Sequence, residues 1–160
     1  MAKVSDLPLK YRTMMAVYPW RKLNPVPSTA MTKPLSESRV AIVSSGALVG
    51  PQQDPFDETI KGGDWSYRVL DSDMDVQTLI ETHRSDAFDH SGVAADKNMG
   101  LPLDRLREMA DAGEIGEIAP RHISLMGSIT APGRLVKSTL PQVAQLLRDD
   151  AVDVALMVPL

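Results

Sequence analysis

The chain of 160 residues contains no cysteine. That absence excludes disulfides, thiolate nucleophiles, zinc–thiolate sites and redox-active thiols together. A redox role would need a borrowed cofactor or the thiol of a partner. No apolar run approaches the ~20 residues needed to cross a bilayer. The N-terminal MAKVSDLPLKYRTMM carries charges where a signal peptide would hold its apolar core, so a cytoplasmic location is expected. The glycine-rich signatures of dinucleotide and P-loop phosphate binding are missing, as is the histidine pair of HExxH. No internal repeat of useful length occurs.

What remains is the composition of one globular domain, 43% hydrophobic and 24% charged. The net charge of −4 is unevenly spread. Residues 1–38 carry Lys3, Lys10, Arg12, Arg21, Lys22 and Lys33 against Asp6 and Glu37, so this arm is basic and the rest acidic. No basic helix or aromatic–basic repeat accompanies the charge, which argues for packing on protein over binding nucleic acid or membrane. Pro19, Pro25, Pro27 and Pro34 predict an extended arm over 1–38, anchored by Tyr18 and Trp20.

Beyond the arm, residues 39–160 read as an α/β layered domain with a partly parallel sheet. RVAIVSS (39–45) and WSYRVL (65–70) read as strands, as do 118–126 and 152–158. The final strand, unalternating and β-branched, is expected in the sheet interior, buried on both faces. Val76, Leu79, Ile80 and His83 lie on one face of a predicted helix over 75–83. Residues 84–101 read as a long polar loop. Pro102 opens and Gly113 closes a helix whose inward stripe is Leu103, Leu106 and Ala110. A second amphipathic helix spans 135–148, started at Pro141 or kinked there.

Ligands of open α/β sheets sit outside the carboxyl ends of strands. The predicted site is therefore this edge, lined by Ser44, Ser45, the His90 loop and Met126-Gly127. Ser44 and Ser45 offer hydroxyls and backbone amides. His90, beside Asp89 in a polar loop with Asp86 and Asp96, is the candidate for general acid–base work. His83, His90 and His122 are the candidate metal ligands, imidazole and carboxylate together suiting Zn²⁺ or Fe²⁺, although the H-x6-H spacing forms no compact motif. On the apolar face of its helix, His83 is more readily a structural residue, and His122 lies within a strand. Asp104 and Arg105, heading a helix, could hold the loop in place or offer charge to a carboxylate.

Several stretches together resemble one family. YPWRKLNPVP, KPLSESRVAIVSSGALV, DHSGVAADKN, LPLDRLREMADAGEIGEIAPRHISLMG and DVALMVPL are similar to the glycine/sarcosine/betaine/D-proline reductases of the selenoprotein B-like group. The similarity runs from Tyr18 to Leu160. His83, His90, Asp96, Asn98, Asp104, Arg105, Arg121 and His122 match positions of the family pattern without assigned roles. Asp96, Asn98, Asp104, Arg105 and His122 join Ser44 and Ser45 as expected substrate-binding residues.

The resemblance implies reductive cleavage of a C–N bond in an amino acid or amine, with a dithiol as donor. It also implies a pyruvoyl group on a partner and an attacking selenocysteine or cysteine shortly after the strand matching 152–158. This sequence ends at Leu160, ahead of that position. The expectation is an oligomeric subunit whose redox centre lies on a second chain, binding a small amine or amino acid. A sequence cut at a stop or selenocysteine codon is the trivial variant. The alternatives are a binding or assembly protein on the same scaffold, and a non-redox, metal-dependent enzyme using the His90 loop.

Overall fold

The computed structural model describes residues 4–18, 22, 24–85 and 88–160. Residues 1–30 and 31–160 form two compact units. In the first, Leu9–Val17 is a helix, α1, which corrects the expectation of a wholly extended arm. Pro8 precedes it, and the nine residues that follow lack proline and glycine, so nothing breaks the i→i−4 ladder. Tyr18, the expected anchor, is half exposed; Trp20 lies outside the described residues.

The second unit begins before the first strand. Ser38 is buried, its hydroxyl donating to the Pro34 carbonyl at 2.9 Å, and Lys33 pairs with Asp153 at 2.7 Å. Among the described residues seven strands follow: β1 (Arg39–Ser44), β2 (Leu48–Val49), β3 (Tyr67–Asp71), β4 (Ile80–Glu81), β5 (Glu117–Ile118), β6 (Arg121–Leu125) and β7 (Val154–Val158). Three more helices are α2 (His90–Ala95), α3 (Leu103–Asp111) and α4 (Leu140–Asp149). The architecture is α/β with a mixed, partly parallel sheet. β1 is central, pairing in parallel with β7 along one edge and with β5 and then β6 along the other. β3 runs antiparallel to β6, while β2 and β4 form a separate antiparallel pair.

The expected strand over 118–126 is two pieces, separated by Ala119-Pro120. Arg39 faces Glu117 in register, but Val43 faces Ile123, so two extra residues sit on this side of β1. The break turns the Pro120 carbonyl toward the Ser72 amide, at 2.9 Å. The Ile42 amide donates to His122 Nδ1 at 3.0 Å. An imidazole thus takes a bond that a backbone carbonyl would take in an unbroken ladder.

Residues of β1 alternate between two cores. Val40 and Ile42 join Leu48, Leu70, Leu103, Leu106 and Ile115 on one side, while Val43 joins Ile123, Leu125 and Val143 of α4 on the other. Each such buried side chain contributes about 1.5–3 kcal/mol, which fixes the helical layers on both faces.

Three further expectations change, while the expected start of the last helix at Pro141 holds. β7 is an edge strand, pairing with β1 alone among the described residues, and its Leu156 and Met157 are 39% and 64% exposed. The segment 75–83 is a 3-10 turn, Val76–Thr78, followed by β4. Asp75 caps it as the sequence suggests, accepting from the Gln77 amide at 2.9 Å, but pairing of β4 with β2 outcompetes helix propagation. The loop over 84–101 contains α2 and a 3-10 turn, Lys97–Met99. Asp89 caps the first and Asp96 the second, each accepting an amide two residues on. Residues 135–139 are a π turn leading into α4, with Pro141 in its first turn. α3 forms as predicted, with Leu103 and Leu106 buried and Gly113 at φ +72° beyond its end.

Candidate functional site

Because β1, β6 and β7 are parallel, their carboxyl ends share one edge, and antiparallel β3 begins there. Ser44, Ser45 and Gly127 therefore come together with the histidine-bearing segment. Ser44 is buried, and its hydroxyl accepts from the Gly46 amide at 3.0 Å, so it serves the turn. The Ser45 amide donates to the Val158 carbonyl at 3.0 Å, and its Oγ accepts from the Leu160 amide at 3.0 Å. Gly127 has φ +68°, and a Cβ placed there would lie 2.2 Å from the Ser45 carbonyl oxygen and 2.7 Å from His83 Nε2. Only glycine lets the two strand ends approach so closely.

His83 is 7% exposed, and its ring lies 4.7 Å from that of Phe88. Its Nδ1 accepts from the Ser85 amide at 3.3 Å, which assigns the hydrogen to Nε2, a buried atom with no partner among the described residues. Burial holds its pKa below the ordinary histidine value, outweighing the nearby Glu81 carboxylate, so the ring is neutral at pH 7. A cavity of about 250 Å³ opens here, lined by His83, Ser85, Phe88, Ser128 and Leu160. His90, half exposed, places Nδ1 at 2.7 Å from Glu81 Oε2 and Nε2 at 3.3 Å from the Ser85 carbonyl. The other Glu81 oxygen accepts the His83 amide. One carboxylate therefore positions both histidines, whose ring centroids are 6.3 Å apart.

Sequence reasoning missed Glu81 and Phe88. A helix over 75–83 would have left Glu81 a surface carboxylate; as part of β4 its side chain is mostly covered. Its place two residues before His83 was the available signal.

The other candidates fall elsewhere. His122 is fully buried in mid-strand with Nε2 unpartnered, and burial, reinforced by Arg107, lowers its pKa to about 4. It lies in the core, away from the edge cavity. Asp96, Asn98 and Asp104 form a structural chain: Asn98 donates to Asp96 at 3.0 Å and to Asp104 at 2.8 Å, and accepts the Asp104 amide at 3.0 Å. Hydrogen bonds from the Gln77 side chain, and then from Asn98, lower the pKa of Asp96. Arg105 is exposed and pairs with Glu108 at 2.8 Å. Arg121 pairs with Asp150, which raises its pKa, at the far end of β6. Among the described residues no three His, Asp or Glu side chains converge as a metal site.

The arginine that secures α3 is Arg107, which donates to Asp104 at 2.6 Å and to the Ser72 and Met74 carbonyls at 2.7 Å each. Replacing Arg107 with alanine is expected to cost about 2–3 kcal/mol, from lost charge-assisted bonds. Arg105→Ala should stay within about 0.5 kcal/mol, as an exposed pair. Urea denaturation of the two variants checks the difference; equal losses would remove Arg107 from this role.

The sequence model of the glycine/sarcosine/betaine reductase selenoprotein B family matches residues 7–159. The chain is 30% identical to D-proline reductase subunit gamma of Acetoanaerobium sticklandii, over 81% of this chain and 51% of that protein. It is 30% identical to the sarcosine reductase complex component B subunit beta of Peptoclostridium acidaminophilum, over 72% and 27% of the two. Against the glycine reductase complex component B subunit gamma of Symbiobacterium thermophilum it is 26% identical, over 93% and 34%. The chain thus spans from about a quarter to half the length of these relatives. No solved structure matches it. No helix among the described residues is long and apolar enough to cross a membrane.

Proposed function

The chain belongs to the glycine/sarcosine/betaine reductase selenoprotein B family, and on that premise we propose that it is a subunit of an amino-acid or amine reductase complex. In this reading its edge cavity holds the substrate, while the sulfur or selenium nucleophile and a pyruvoyl carbonyl lie outside these 160 residues. The observation that carries the reading is the neutral Nε2–H of His83, unpartnered among the described residues, beside a cavity where the ends of β1 and β6 meet. A buried donor without a partner is costly, and a ligand oxygen would satisfy it. His83 would thus hold a substrate carboxylate. His90, oriented by Glu81, would carry a proton toward the departing amine.

The overall chemistry balances without metal. One C–N bond breaks and a dithiol becomes a disulfide; its two electrons and two protons appear as the new C–H bond and the N–H of the released amine. This chain has no cysteine, and a methionine thioether cannot cycle through a disulfide. The chain alone is therefore expected to bind glycine, sarcosine or D-proline without reducing them in dithiothreitol.

NMR of the two imidazoles during titration tests the reading. The His83 Nε2 resonance should move with a saturable profile, and His90→Ala should weaken binding while leaving Tm nearly unchanged, as for a half-exposed residue at a helix start whose ion pair faces water. A several-degree fall in Tm with unaltered binding would make His90 structural. Turnover by the isolated chain would overturn the division of labour.

A further inference from the structure

A second cavity lies beyond the β6 loop, and none of the residues assigned to the edge site lines it. It encloses about 610 Å³ between residues 60–65 and residues 131–138, where the helix leading into α4 begins. Its charged lining residues are Lys61, Arg134 and Lys137, and no carboxylate lines it. None of the three cations forms an ion pair with a described residue. Arg134 and Lys137 lie three residues apart on the helix wall of the cavity. Three unpaired like charges around one concavity are unfavourable for the empty protein and favourable for a bound anion.

The walls are built to keep their shape. Arg134 lies over the Trp65 ring, 4.3 Å from its centroid, and the Trp65 carbonyl accepts from the buried Thr139 hydroxyl at 2.5 Å. Gly62 and Gly63 have φ +90° and +101°. A Cβ on Gly62 would meet the Ala131 methyl at 2.5 Å, and one on Gly63 would meet Ile129 Cα at 2.9 Å. The two loops therefore touch through backbone, and the Ala131 amide donates to the Gly62 carbonyl at 3.0 Å. The amide of Val136 donates to the Pro132 carbonyl, so the amides just before it stand at the open end of the helix. The π turn at 135–139 widens the helix where Lys137 and Ser138 face the cleft; such turns are frequent at functional sites.

We propose that this cleft is a second ligand site, binding the oxyanion of a small molecule, a carboxylate or a phosphate. Arg134 and Lys137 supply the charge, Lys61 closes from the opposite loop, and Trp65 forms the apolar wall. The inference does not rest on the reductase reading, since it uses none of the residues assigned there.

Trp65 reports the test. In a Trp20→Phe background it is the sole tryptophan. Its fluorescence is followed in the full chain while inorganic phosphate or acetate replaces chloride at constant ionic strength. A saturable change is expected with at least one anion, and the one that saturates identifies the ligand class. Arg134→Gln with Lys137→Gln should raise Kd at least about tenfold, and Lys61→Gln alone should raise it less. Lys10→Gln, a cation of the N-terminal unit, should leave it unchanged. Circular dichroism confirms that the exposed substitutions fold. A linear response to both anions, or saturation that survives the double substitution, overturns the proposal.

Discussion

Between pH 6.5 and about 4 the folded protein is expected to lose about 3 kcal/mol of stability through His122 alone. In the unfolded chain its ring takes a proton near 6.5, whereas in the folded chain burial, and then Arg107, delays protonation to about 4. Within that window the unfolded state binds more protons, so stability falls as the pH falls and is unaffected above the window. The geometry supplies the reason. Nδ1 already accepts the Ile42 amide, and a proton there would set two donors against each other in a fully buried site. His83, also depressed by burial, adds in the same direction. The measurement is the slope of unfolding free energy against pH, by urea titration at several pH values. His122→Asn, whatever its absolute stability, should flatten the slope; an unchanged slope would remove His122 as the cause.

Gly127→Ala should cost more than about 3 kcal/mol or prevent folding. A Cβ at φ +68° costs about 1 kcal/mol from backbone sterics alone. Here it must also displace the Ser45 carbonyl, whose residue is tied through its amide to Val158 of β7. Gly113 is the matched control: its φ is +72°, yet nothing lies within 4 Å of an added Cβ. Gly113→Ala should therefore cost only the backbone term, about 1 kcal/mol. Equal losses at the two positions would show that close approach at Gly127 contributes nothing. A large loss at Gly127 with retained fold would place the joint between the strand ends among the most sensitive points in the chain.

Much of this architecture is legible from apolar runs and punctuation. β1, α3 and the body of α4 follow from continuous hydrophobicity, a Pro-first and Gly-last helix, and an amphipathic stripe around Pro141. Local pattern failed where nonlocal pairing decides. The 75–83 stretch has helical spacing, but β2 offers β4 a partner that no window of the sequence contains. β7 has the residues of a buried strand and is nevertheless an edge, since its composition does not specify what lies beside it. At the sheet edge, the carboxyl-edge rule anticipated that Ser45, Gly127 and the histidine segment lie side by side. It could not rank the histidines: His83 looks structural by its apolar register, and what separates it from His122 is that its Nε2, unpartnered among the described residues, lies beside the edge cavity and not in the core. Asp96, Asn98 and Asp104 were credible ligands by type and are satisfied by one another.

The interruption at Ala119-Pro120 constrains how this sheet can drift in length. Side chains of a strand alternate with period two, so two extra residues beside β1 leave the parity of β6 intact. Ile123 still enters the same core as Val43, and His122 still reaches the Ile42 amide. A family of such sheets can gain or lose residues here in pairs while preserving which side chains enter which core. A single-residue change would exchange the two faces from Arg121 to Leu125, moving Ile123 and Leu125 out of the core they share with Val43 and putting His122 and Ser124 in their place. The indel record at this point should therefore be even-numbered, a parity rule imposed by the pleat and not by the chemistry at the sheet edge.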